Sequence, residues 1–79
     1  MDDDRAERDV VLRIVHDVAG HGPRELRFLR TEEGLIAYLT LRLDPAGSLA
    51  DSHAQASEIE ARIRSARPEI ADVIVHTEP

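Results

Sequence analysis

The sequence predicts an α+β fold, a two-layer α-β-β-α-β sandwich in which a three-stranded sheet carries two helices on one face. Three observations lead there. Residues 9–20 carry an apolar stripe at helical spacing, residues 35–43 are apolar at every odd position and mixed at the even ones, and a second helical stripe lies between Ser48 and Pro68. Each apolar face needs a partner to bury against, and helices packed on one side of a small sheet supply it.

The first element follows a charged start. Residues 1–8 have no apolar pattern, which predicts a disordered or frayed N-terminus and a folded domain over residues 9–79. From Asp9, a plausible N-cap, the run DVVLRIVHDVAG places Val11, Ile14, Val15 and Val18 on one stripe and leaves His16 facing solvent. Gly20 is the expected stop, and GHGP is a loop. The segment RELRFLR then alternates as a strand with Leu26 and Phe28 on one face.

After the turn TEEG comes the longest strand, LIAYLTLRLDP, with Leu35, Ala37, Leu39, Leu41 and Leu43 on one face. Ile36, Tyr38, Thr40 and Arg42 make a mixed opposite face, the pattern of a half-buried antiparallel strand packed on one side. Ser48 with Asp51 three residues on is a capping-box variant that opens the second helix, and Pro68 closes it. Leu49, Ala56, Ile59, Ile63 and Ala66 are its expected inward stripe. The segment DVIVHTEP supplies the last strand.

Composition excludes several classes of function. There is no cysteine, so disulfides, thiolate catalysis and cysteine zinc sites are absent. The formal net charge is −6, which argues against a nucleic-acid partner, and Phe28 and Tyr38 are too few aromatics to stack bases. No run approaches the roughly 20 apolar residues that cross a bilayer, so no direct membrane insertion and a cytoplasmic location are expected. Three strands with helices on one side leave the face bearing Ile36, Tyr38, Thr40, Ile74, His76 and Glu78 uncovered. A second copy of the chain is the simplest cover for it.

The chemistry-bearing residues are few. His76 and Glu78 are two apart on a strand and so share a face. Imidazole nitrogen and carboxylate oxygen are both zinc donors, but two residues make no site, and a pair on an exposed strand end is more often simply solvated. His53, in the first turn of the second helix, is the best-placed third donor, while His16 and His21 read as solvent-facing residues. Ser48 is explained by capping, and no nucleophile elbow or phosphate loop is present, so no enzyme is expected.

Taken together, LTLRLDPAGSLADSHAQASEIEARIRSARPEIADVIVHTEP resembles the cytoplasmic C-terminal domain of the cation diffusion facilitator (cation efflux) transporters. The matching features are Asp44-Pro45, Ser48-Leu49, the helix-borne His53, the stop at Pro68 and the closing strand from Val73 to Pro79. The resemblance extends more loosely back to about residue 9. It implies a ferredoxin-like fold of the copper-metallochaperone type and a homodimer formed through the open sheet side. It also implies divalent cations, chiefly Zn²⁺, bound at or near that interface, where they regulate a membrane cation transporter from its cytosolic face.

By the same resemblance His53, His76 and Glu78 match the family's metal ligands. Two further positions, where some members carry histidine, hold Arg24 and Thr40 here. A reduced zinc site and a metal-free dimerisation module of the same fold are therefore both compatible with the residues.

Overall fold

A computed structural model describes residues 4–79. The order is α1 (Arg5–Ala19), β1 (Glu25–Thr31), β2 (Gly34–Arg42), α2 (Leu49–Ala66) and β3 (Ile70–Glu78). β2 is the central strand, antiparallel to β1 and parallel to β3, so the sheet is mixed. A tight turn suffices for the first pairing, whereas the second needs a crossover, and α2 supplies it.

The sequence pattern accounts for most of this. β2 alternates buried and half-buried along its length, with Leu35, Ala37, Leu39 and Leu41 all inside. Above that face lie Val11 and Val15 of α1 and Ile59 and Ile63 of α2, each fully buried, with Ile70 and Val73 of β3 completing the core. Gly20 takes a left-handed conformation and donates its N–H to the His16 carbonyl, closing α1. The Ser48 hydroxyl accepts the Asp51 N–H at 3.0 Å, the expected cap of α2.

Three expectations are corrected. α1 begins at Arg5 rather than after Asp9, so residues 5–8 belong to the helix; residues 1–3 lie outside the described part. Polar contacts hold that extra turn. Glu7 reaches Arg67 at 3.9 Å, and the Arg8 guanidinium lies 5.5 Å from the centre of the Phe28 ring. The second correction is Leu49, which is 82% exposed rather than part of the inward stripe. It borders one hollow with Leu43, Pro45 and Pro79 and another with Val75 and Thr77 of β3, at the open rim where the first turn of α2 meets the sheet. Ala66, in the last turn, is exposed as well.

β3 is tied to α2 at its other end. Arg64 bonds Asp72 at 2.6 Å and Glu60 at 3.2 Å, and these two hydrogen bonds, the first foremost, raise the arginine pKa further. Here the β2–β3 register shifts: Leu35 pairs with Ile70 and Ile36 with Asp72, leaving Ala71 as the extra residue of a bulge. Gly34 sits against that bulge with φ +128°, and an added Cβ would lie 3.2 Å from the Ala71 Cβ. Gly34→Ala is expected to cost about 1–3 kcal/mol through backbone strain. A lower denaturation midpoint with an unchanged m-value is the signature; a wild-type midpoint would show that the turn relaxes.

Candidate metal centre

Residues paired across neighbouring strands share a face of the sheet. Ile74 pairs with Tyr38, His76 with Thr40 and Glu78 with Arg42, all on the side away from the helices. β1 adds Glu25, Arg27 and Leu29, opposite Thr40, Tyr38 and Ile36. The uncovered face expected from the sequence is therefore present. Its apolar part is Leu29, 52% exposed, and Ile74, 42% exposed, beside half-buried Ile36 and Tyr38. His76 is exposed at the edge of this strip and lines a shallow hollow with Tyr38, Thr40 and Ile74.

His53 lies elsewhere. It projects from α2 into a hollow lined by Ser52, Ala56, Glu60, Val75 and Thr77. Val75 and Thr77 alternate with His76 and Glu78 along β3, so the strand separates His53 from the other two. The three expected ligands do not converge within one chain. Among the described residues, no group of three or more histidines and carboxylates could hold a metal ion.

Glu78 has a partner of its own. Its Oε1 accepts from the Arg24 guanidinium at 2.8 Å. The pairing follows from topology: antiparallel β1 begins, and parallel β3 ends, at the C-terminal end of β2. Backbone bonds hold both partners there, the Arg24 N–H donating to Thr40 O and the Leu43 N–H donating to Glu78 O, each at 2.8 Å. Arg24 and Arg42, with His21 and Gly22, line an open hollow beside the pair. His21 donates from Nδ1 to Gly22 O at 2.9 Å, and His16 is exposed, in keeping with solvent roles for both.

As a metal centre, the described residues of one copy thus offer at this end of the face one imidazole, His76, and two carboxylates, Glu78 and Glu25, each already paired with a guanidinium, Glu25 with Arg27 at 2.9 Å. A tetrahedral zinc site takes four donors. The set is a half-site at most, and closure requires donors from outside the chain or water.

Comparison with known proteins matches this arrangement to a family. Residues 4–79 match the family model of the cation efflux protein cytoplasmic domain. A search of curated proteins finds no match. Among solved structures, the cadmium form of an aspartate-to-glutamate variant of the MamM C-terminal domain superposes with a TM-score of 0.83 at 18% identity, covering 96% of each chain. The copper form of an aspartate-to-histidine variant of that domain gives 0.81 at 19%, covering 92% of each. The nickel form of a glutamate-to-histidine variant gives 0.81 at 18%, covering 92% of this chain and 94% of that one. At these identities the likeness concerns the fold: two helices on a three-stranded sheet, of the metallochaperone-like kind.

Proposed function

The chain belongs to the cation efflux protein cytoplasmic-domain family, and from that premise we propose that it pairs and regulates a divalent-cation transporter on the cytosolic side. Two copies associate through the open sheet face. Zn²⁺ joins them through His76 of each copy, with Glu78 as the adjoining carboxylate donor. His53, across β3, is a separate single-donor position that adds to binding without completing this site. The cadmium, copper and nickel forms of a domain with this fold support a divalent ion as the ligand.

The observation that carries the proposal is the open face itself, where His76 borders an exposed apolar strip that the described residues leave uncovered. A metal that binds the paired form better than the single form shifts the population toward pairs. At a free-ion level of 100 times Kd the shift is about 2.7 kcal/mol. Zinc takes neutral imidazole, so acidification weakens both binding and the stabilisation.

Calorimetric titration of the purified chain with zinc tests this, alongside light scattering in zinc and in EDTA. Wild type is expected to bind one ion per two chains and to shift toward dimer. His76→Ala should abolish that phase, and His53→Ala should leave it in place. Identical heats for wild type and the His53→Ala/His76→Ala double variant would sink the assignment.

The second reading is a metal-free pairing module. The Arg24–Glu78 ion pair favours it, since a carboxylate already neutralised by a guanidinium is a weaker metal donor. This reading expects the same dimer mass in zinc and in EDTA.

A further inference from the structure

We propose that Arg24 is a tethered cation that competes with a divalent metal for the Glu78 carboxylate and thereby sets how tightly the open face holds metal. The inference rests on the reading of Glu78 as a metal donor and adds a residue that tunes it.

A guanidinium and a divalent metal use the same carboxylate lone pairs. Arg24 engages Glu78 Oε1 at 2.8 Å, so a metal arriving there must displace the guanidinium or share the carboxylate with it. The competitor is present at high effective concentration. Its backbone N–H is bonded to Thr40 O, one strand away from the backbone of Glu78, which is itself held by the Leu43 N–H. Tethering makes the competition intramolecular, so the competitor's effective concentration is set by the fold, while salt screens the exposed pair.

The pair remains accessible, with the Arg24 side chain 55% exposed and that of Glu78 32% exposed. Water can therefore replace the guanidinium when it leaves, so the competition is reversible rather than a permanent block. Arg42 lies opposite Glu78 in register and lines the same hollow as Arg24. Its charge adds repulsion toward an incoming cation, but it is not the group bonded to the carboxylate.

The expected size follows from the exposure of the pair. Exposed ion pairs contribute little, and releasing one is expected to tighten zinc binding by about two- to fivefold. A double-mutant cycle isolates the part that passes through the carboxylate. Zinc affinity is measured by calorimetry for wild type, Arg24→Gln, Glu78→Gln and the double variant, with circular dichroism to show that all four are folded.

The proposal expects Arg24→Gln to tighten binding in the wild-type background and to have no effect where Glu78 is already Gln. Appearance of zinc binding only on Arg24→Gln supports it equally. Tightening of equal size in both backgrounds overturns it, since Arg24 then acts through its charge alone. Unchanged affinity in Arg24→Gln, with wild type binding zinc, overturns it while the proposed metal function stands. If none of the four proteins binds zinc, both fall together.

Discussion

Leu39→Ala is expected to destabilise the domain by about 2–5 kcal/mol, the range for removing a large aliphatic side chain from a packed core. Leu39 is 2% exposed and lies midway along the central strand, paired with Leu26 on one side and Val75 on the other. The same cluster holds Val11, Val15, Ile59 and Ile63, so α1 and α2 meet the sheet around this residue. A domain of this size commands only about 4–12 kcal/mol in total, and the midpoint should fall by on the order of 10–20 °C or more. The measurement is denaturant or thermal unfolding at one fixed protein concentration, because pairing would make stability depend on it. Leu49→Ala provides the contrast. At 82% exposure it should change stability by no more than about 0.5 kcal/mol, although sequence spacing alone ranks it with the core leucines. Comparable losses from the two would mean that the first turn of α2 is buried.

That contrast shows where sequence reasoning ends. The β2 alternation and the Val11–Val15 and Ile59–Ile63 spacings are local, and they put every deeply buried residue of those elements on the correct face. Leu49 fits the same helical arithmetic, but exposure there depends on how closely the first turn of α2 approaches β3, which is a tertiary quantity. The early start of α1 was hidden for the opposite reason. Its first turn has no apolar stripe and is held by Glu7 to Arg67 and Arg8 over Phe28, contacts to residues far along the chain.

The candidate site divides in the same way. Strand parity places His76 and Glu78 together, and parity also places them opposite Val73 and Val75, on the side away from both helices. A histidine on α2 lies on the helix side, so the separation of His53 from the other two was already contained in the periodicity. The Arg24–Glu78 pair was not. It requires knowing that β3 joins β2 in parallel at the far edge from β1, which brings two termini together that are distant in sequence.

Ile74→Asp is expected to break pairing while leaving the fold of each copy intact. Ile74 points away from the core and is 42% exposed, in register with Tyr38 and near the exposed Leu29. An isologous contact through this face brings each residue near its own symmetry mate or its neighbours. The substitution then adds two carboxylates to one interface, between chains that already carry a net charge of −6 each. Loss of a central apolar anchor alone costs about 2 kcal/mol or more, about thirtyfold in the dimer dissociation constant, and the buried charges add to it. Sedimentation velocity over a concentration series reads the change, and circular dichroism checks that the single copy remains folded. The matched control is Leu12→Asp, which introduces the same charge at a residue 38% exposed on α1, on the helix side. Pairing through the open sheet requires that Ile74→Asp dissociate the dimer and Leu12→Asp leave it unchanged; the reverse pattern would move the interface to the helices and separate it from His76.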